Sequence, residues 1–327
     1  MLNYIGRRLV WMVITLFFIS IIGFFLIELP PGDYLTMEIE RLRTYRGVLS
    51  DRQIEMLKER YGVDQPMYVK YWKWVSGIAR GDFGDSFQFK KPVTELIAKR
   101  LKYSFLLAGL ALIFTWLVSI PVGVFAATKK NTWPDYLIAA FQFMGIAIPD
   151  FILAILLMVF AARYFNQDIG GLFSQQYIDA PWSWPKLLDL MKHLWIPVIV
   201  VSASSTAWLT RIMRSNLLDV LNMQYIQTAR AKGLKERVVI WKHAVRNSLH
   251  VLVMMLGGVL PALISGEVIA AMVLALPTIG PLYFDALVQM DMYLAISVLM
   301  FQAVALLIGN LIADLLLAWV DPRVRLE

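Results

Sequence analysis

Three acidic residues, Glu28, Glu267 and Asp314, stand within or at the ends of long apolar runs. A carboxylate there is costly and usually faces a protein interior or water, where it can relay a proton, hold a cation or pair with a basic group. Their scatter gives only thin support for proton coupling. Glu267 is the candidate for a translocation pathway. It sits one position, about 100° of helix, off a ridge of Gly258, Ala262, Gly266 and Ala270, which repeats every four residues and suits close helix packing. Two roles are open for it: contact with a hydroxyl or amine of a solute, or pairing with a basic group of a neighbouring chain. His193, His243 and His250 lack metal-ligand spacing, and the chain has no cysteine, so disulfides, thiolate metal sites and cysteine nucleophiles are excluded. There is no G-x-x-x-x-G-K-[ST] phosphate loop, no H-E-x-x-H and no G-x-S-x-G. Covalent chemistry, a bound metal and a bound cofactor are therefore not expected in this chain.

The densest cationic run is TARAKGLKERVVIWKHAVR, Thr228 to Arg246, with Arg230, Lys232, Lys235, Arg237, Lys242 and Arg246. Its pattern predicts a short helix ending at Gly233, which suits the left-handed position after a helix end, and then a second helix. Thr228, Ala229 and Ala231 are short, and Tyr225 and Ala229 share a face at i, i+4. Such a helix suits a groove on a partner, with the cations around its rim. The plainer reading is retention of topology plus contact with anionic lipid. Residue types alone leave both open.

These residues sit among elements that must cross a membrane. Of 327 residues, 59% are hydrophobic, above the roughly 45–50% of a soluble domain, and the excess lies in blocks. Six segments reach the roughly 20 apolar residues needed to cross a bilayer: about 9–29, 102–127, 135–163, 194–218, 249–276 and 292–319. The first is longer than a signal-peptide core and no small-x-small cleavage site ends it, so a retained span is expected. Pro121, Pro149, Pro197 and Pro261 are expected to kink or end helix turns. The net charge of +7 belongs to topology rather than to nucleic acid. Arg7, Arg8, Lys129, Lys130, the 219–248 loop, Arg323 and Arg325 all fall on one side, which the positive-inside rule makes cytoplasmic together with both termini. The segment 30–101 is then extracytoplasmic. Within it a helix is expected from Ser50 or Asp51 to about Arg60, and another after Pro66 carrying Tyr68, Tyr71, Trp72 and Val75, with a turn at Gly81 and Gly84.

The stretch YIQTARAKGL, followed by KHAVRNSL, resembles the cytoplasmic-loop signature of binding-protein-dependent ABC-importer permeases, in the oligopeptide/dipeptide branch that also includes nickel and oligosaccharide carriers. T-A-R-A-K-G matches Thr228 to Gly233 completely, and H-x-x-R-N matches His243, Arg246 and Asn247. Of the general E-A-A-x-x-x-G form, only Ala229 and Gly233 match; Gln227 and Thr228 depart from it. The PGD at 31–33, YGVDQPMYVKYWKWV, GDFGDSF and DPRVR extend the likeness along the chain. His250 and Val251 replace a Leu-Pro pair, and AMVLALPTIG replaces E-x-V-F-x-x-P-G-x-G, with Ala271 at the acid.

The resemblance implies an all-α membrane protein with six transmembrane helices, a long extracytoplasmic loop after the first and a cytoplasmic coupling-helix loop between the fourth and fifth. The expected organisation is an N-terminal helix 1–29, an extracytoplasmic segment 30–101 and a five-helix permease core 102–327 containing the coupling loop 219–248. It implies a multi-pass subunit of a prokaryotic plasma (inner) membrane that works with a second homologous permease, two ATPase subunits and an extracytoplasmic substrate-binding protein. ATP and Mg act on the ATPase partners. Tyr225, Gln227, Thr228, Ala229, Arg230, Ala231, Lys232, Gly233 and Leu234 would form the ATPase-coupling loop. The solute would be a short peptide or similar small oligomer. An oligosaccharide is the alternative within the family, and an ion-coupled carrier or channel, or a purely structural membrane subunit, the alternatives outside it.

Overall fold

The computed structural model describes residues 2–29, 37, 39, 65–167, 170–253 and 268–320. In chain order the helices are α1 (Leu2–Glu28), α2 (Met67–Ile78), α3 (Val93–Thr128), α4 (Trp133–Ala147), α5 (Asp150–Phe165), α6 (Trp184–Leu221), α7 (Gln224–Ala231), α8 (Glu236–Val238), α9 (Val268–Val273), α10 (Ile279–Val288) and α11 (Met292–Val320). A π-helical stretch, Val239–Val245, continues α8, and helix resumes over 246–253. Among the described residues there is no named strand.

Among the described residues, four helices are long and apolar enough to span a bilayer: Ile5–Glu28, Val93–Thr128, Trp184–Leu221 and Met292–Leu316. The expected span 135–163 is divided instead into α4 and α5, which meet at a bend of 106° and count together as a fifth candidate. Pro149 causes the break. Its ring biases Ile148 to extended backbone (φ −81°, ψ 120°), and Pro149 itself is the N-cap of α5. Pro121 and Pro197 lie inside α3 and α6 and end neither helix. Of the expected span 249–276, residues 254–267 lie outside the described residues, and with them Gly258, Pro261, Ala262, Gly266 and Glu267. The helix expected from Ser50 or Asp51 to Arg60 lies outside them too.

The chain forms two compact units. The first comprises Met1–Tyr103 and Pro277–Ala305. In it α2 packs on α1: Phe24 is fully buried with Tyr71 edge-on at 5.4 Å and Trp74 at 5.8 Å. The Ser20 and Tyr71 hydroxyls meet at 2.9 Å, and Glu28 pairs with Lys70. Tyr68 and Trp72 face outward. Glu28, one of the three conspicuous acids, is thus held by a cation rather than open as a relay. Helix α3 starts at Val93, nine residues before the expected span, because Val93 and Ile97 are buried against Ile279, Leu282 and Leu294. The loop before it turns at Gly81 and Gly84 and is held by Asp291, whose carboxylate accepts from the Ser86 hydroxyl (2.5 Å) and the Gln88 amide (3.1 Å).

The second unit comprises Ser104–Leu276 and Leu306–Glu327. Helix α6 begins at an N-cap Ser183, whose hydroxyl accepts from the Lys186 amide, with a proline in the first turn. Its Ser- and Thr-rich middle supplies polar links to its neighbours. The Ser204 hydroxyl lies 3.2 Å from the Gly145 carbonyl and 3.0 Å from the Asp150 carboxylate, so α6 covers the break between α4 and α5. Irregular backbone at membrane depth is tolerated only where protein satisfies it in this way. The Ser119 hydroxyl donates to the Thr206 carbonyl at 3.1 Å. A Cβ on Gly123 would stand 2.7 Å from Met213 Cβ, so α3 and α6 touch closely enough there to require glycine. At the far end of α6, Arg214 grips Asp135 at the start of α4 through two contacts of 2.7 Å.

Candidate functional site

Helix α6 ends at Leu221, and the chain reverses through Asn222 and Met223 into α7. Helix α7 is eight residues long, too short to be stable on its own, so its neighbours must hold it. Ile226 and Ala229, at i and i+3, are buried in one apolar cluster with Val124, Met213, Leu217, Val239, Ala244, Val245 and Leu252. The opposite stripe, Gln224, Gln227, Thr228 and Ala231, is exposed. Ala229 therefore faces this chain's own core, not the face that Tyr225 shares with it in the expected groove-filling helix. Tyr225 is exposed, and its hydroxyl accepts from Asn247 Nδ2 at 2.5 Å, which ties α7 to the helix over 246–253.

The turn after α7 closes with two bonds. Gly233 N donates to the Arg230 carbonyl at 2.9 Å, and Leu234 N donates to the Ala229 carbonyl at 3.4 Å. This is the Schellman pattern, in which the residue after the helix takes left-handed backbone. Gly233 has φ +76°, and nothing lies within 4 Å of where its Cβ would stand. The limit on residue type in this chain is thus conformational rather than one of space. Arg230 spans the turn to Glu236 through Nε (3.2 Å) and Nη2 (2.6 Å). The hydrogen bond from Arg230 holds the Glu236 carboxyl below its usual range, and the same bond raises the Arg230 guanidinium. Lys232, Lys235 and Arg237 are exposed and form no ion pair among the described residues.

The arrangement brings Tyr225 to Leu234 together on one protruding helix and turn, anchored from beneath. It offers a shaped, positively charged knob and no nucleophile or acid–base pair. Among the described residues no group of three or more His, Asp or Glu is placed to hold a metal ion. Glu267, the pathway candidate, lies outside the described residues and is not brought to this site. Sequence reasoning missed Ile226 and Glu236. The first was findable from the helical spacing of Ile226 and Ala229; the second needs the turn geometry that sets Arg230 beside it.

Two family models cover nearly the whole chain. Residues 1–108 match the N-terminal part of the binding-protein-dependent transport system membrane component, and residues 119–326 match the binding-protein-dependent transport system inner membrane component. The oligopeptide transport system permease protein AppB of Bacillus subtilis (strain 168) is 36% identical over 99% of this chain and 100% of its own. The glutathione transport system permease protein GsiC of Salmonella paratyphi A is 32% identical over 99% of both chains. Among solved structures, an inward-facing MetNI methionine ABC transporter superposes with a TM-score of 0.56 at 15% identity, covering 70% of this chain and 97% of that one, a likeness of fold. Apolar membrane-spanning helices, a buried-root helix and glycine turn, and family matches along the chain lead to one assignment: the protein belongs to the binding-protein-dependent transport system inner membrane component family and is a membrane permease subunit of such an importer.

Proposed function

We propose that this permease passes short peptides, and that Tyr225 to Leu234 is the surface on which an ATPase subunit acts. Full-length similarity to an oligopeptide and a glutathione permease supports the solute class. The observation that carries the coupling role is the division of α7 into a buried root, Ile226 and Ala229, and an exposed stripe, Gln224, Gln227, Thr228 and Ala231. A partner pressing on that stripe moves the root. The root packs on Met213 and Leu217 of α6, and α6 covers the break between α4 and α5 through Ser204. Displacement of the knob is thereby passed into the membrane helices without covalent chemistry in this chain.

In this reading the complex contains a second permease, two ATPase subunits that bind ATP and Mg, and an extracytoplasmic binding protein. The bent α4–α5 pair is the third of six spans, and both termini are cytoplasmic. Single cysteines at Lys58 and Lys235 test the orientation, because the chain has no cysteine of its own. An impermeant thiol reagent should label Lys58→Cys and spare Lys235→Cys in intact cells; the reverse inverts the topology. The solute is tested by identifying the ligand that co-purifies with the binding protein and by uptake in vesicles holding the complete assembly. Peptide uptake driven by ATP supports the reading. Oligosaccharide uptake, or uptake by this chain alone without ATPase subunits, refutes it.

A further inference from the structure

Helices α3, α4 and α6 leave an open groove of about 330 Å³ between them, lined by Val118 and Val122 of α3, Ile138 and Phe141 of α4, and Ala203 and Thr210 of α6. All three helices belong to candidate membrane spans, so the groove lies at membrane depth. At one end α4 and α6 close tightly: a Cβ on Gly145 would stand 3.1 Å from Ala207 Cβ. At the other end the tie is the long side chain of Arg214, which reaches Asp135. The hydroxyls on the walls are already spent. Thr210 Oγ1 donates to the Thr206 carbonyl at 2.6 Å, and Thr206 Oγ1 lies 3.3 Å from Thr115 Oγ1. The Gln142 amide nitrogen is covered by protein. The groove therefore offers an almost wholly apolar surface. A peptide backbone laid in it would leave N–H and C=O groups unpaired; a hydrocarbon chain would leave none.

The Arg214 end of this groove is basic. Arg211 and Arg214 follow the wall residues Ala207 and Thr210 by one turn of α6, about 6 Å along its axis. Lys129 and Lys130 follow Val122 by two turns, about 10 Å. Arg211, Lys129 and Lys130 are exposed and form no ion pair among the described residues. Asp135, the acid in the first turn of α4, is already held by Arg214 through Nε and Nη2. The turn that carries the lysines is fixed: the Asn131 amide donates to Asp135 at 2.9 Å, and Thr132 Oγ1 donates to the Lys129 carbonyl at 2.5 Å. Trp133 and Tyr136 stand exposed just after it, as aromatic residues do at the headgroup level of a bilayer.

We infer that the groove holds an acyl chain of an anionic phospholipid, whose phosphate lies among Arg211, Lys129 and Lys130. The apolar walls select the chain, and three cations without a free acid beside them select the charge of the headgroup. Basic pockets between membrane helices on the cytoplasmic side bind anionic headgroups in this way. Assignment to the cytoplasmic leaflet rests on the orientation proposed above; the site itself rests on the groove and its cations.

The test uses the complete permease–ATPase assembly in phosphatidylcholine nanodiscs carrying a small share of phosphatidylglycerol or phosphatidylcholine with a diazirine in the acyl chain. After photolysis, cross-linked peptides are mapped. Peptides covering 114–122, 138–145 and 199–210 should take about tenfold more label from phosphatidylglycerol than from phosphatidylcholine, relative to the exposed face of α1 in the same sample; salt screening keeps this below the summed effect of three cations. Lys129→Gln, Lys130→Gln and Arg211→Gln together should bring that ratio to about one while leaving label from phosphatidylcholine in place. Ala203→Trp, which fills the groove, should remove label from both lipids there and leave α1 unchanged. A ratio at the groove equal to that at α1 in the wild type overturns the site, leaving bulk lipid only. Absence of label at the groove from either lipid also overturns it; cross-linking of Phe141→Cys to the second permease would then identify a subunit contact. A nanodisc presents the same lipids on both faces, so these results do not depend on orientation. The cysteines at Lys58 and Lys235 report that separately, and their failure would move the site to the other leaflet without removing it.

Discussion

Arg214 and Arg230 each hold a carboxylate with two nitrogens, yet they are built for different ends. Arg214 reaches Asp135, 79 residues away in the chain, with two contacts of 2.7 Å, and their side chains are 28% and 4% exposed. Arg230 reaches Glu236, six residues away, with contacts of 3.2 and 2.6 Å, and their side chains are 43% and 55% exposed. The first joins two helices where water is largely excluded; the second trims the outline of a half-exposed turn. Removing one partner of a buried pair strands a charge and costs about 3–5 kcal/mol, whereas exposed pairs contribute about 0.2–1 kcal/mol. The same chemistry is therefore structural in one place, and in the other a surface feature whose effect would be read by a partner.

The comparison breaks most visibly at Asp135. Asp135→Ala should destabilise the protein by about 3 kcal/mol, the lower end of the buried range, because Arg214 retains some access to water. Thermal unfolding in detergent measures this, and Asp135→Arg combined with Arg214→Asp should recover part of the loss. A fall as small as that for an exposed pair would mean that water already screens the contact.

Gly233→Val comes next. Positive φ with a β-branched side chain costs about 1–3 kcal/mol locally. The described membrane helices are untouched, so insertion should be normal. Co-purification of the ATPase subunits and uptake per ATP hydrolysed should fall. Wild-type values for both would detach this turn from coupling.

Asp291 sharpens the contrast, being a buried acid held by hydroxyl and amide donors. Burial pushes its carboxyl up despite those bonds, while the bond from Arg230 pulls Glu236 down. The two signs give opposite pH behaviour. The native state holds the Asp291 proton longer, so the 81–92 loop should lose stability as pH rises from the ordinary 3.8 through the raised value. The Arg230–Glu236 clip should be intact above the ordinary 4.5 of glutamate and be lost as pH falls through the lowered value. Hydrogen exchange of peptides covering 84–92 and 230–238 should therefore respond to pH in opposite senses, and Asp291→Asn should flatten the first response. Parallel responses would contradict this assignment of signs.

Arg230→Ala should have the smallest effect on the fold, under about 1 kcal/mol and smaller still at high salt. Its consequence should be read in coupling efficiency rather than in melting temperature. A large stability loss would put Arg230 in the class of Arg214.

Much of this was readable from residue types because it depends on local rules. TARAKG announces a helix end at Gly233, and Pro66 and Gly81 bracket the helix now placed at Met67–Ile78. What was not readable depends on long-range partners. The Arg214 guanidinium lies on Asp135, 79 residues away, a pairing set by the packing of α4 on α6 and announced by no local pattern. Ala229 looked like part of an outward face because its size suits a groove; Ile226 beside it turns that face inward. Pro149 signalled a disturbance, but the depth of the break follows from Ser204 of α6 being there to bond both sides of it. Most of α7 and its turn were thus legible, while the contacts that root them were not.

The π-helical stretch Val239–Val245 has a consequence for how this protein tolerates insertions and deletions. Such a stretch amounts to one surplus residue accommodated within an α-helix. Deleting one residue there would return the backbone to ordinary α-helix while keeping Val239 on one side, and Ser248 and Leu252 on the other, in their present angular phase. The same deletion a few residues later would rotate every following side chain by about 100° and turn Leu252 out of its cluster. Within one continuous run of helix, the permitted change in length is therefore confined to the seven residues between the knob and the membrane.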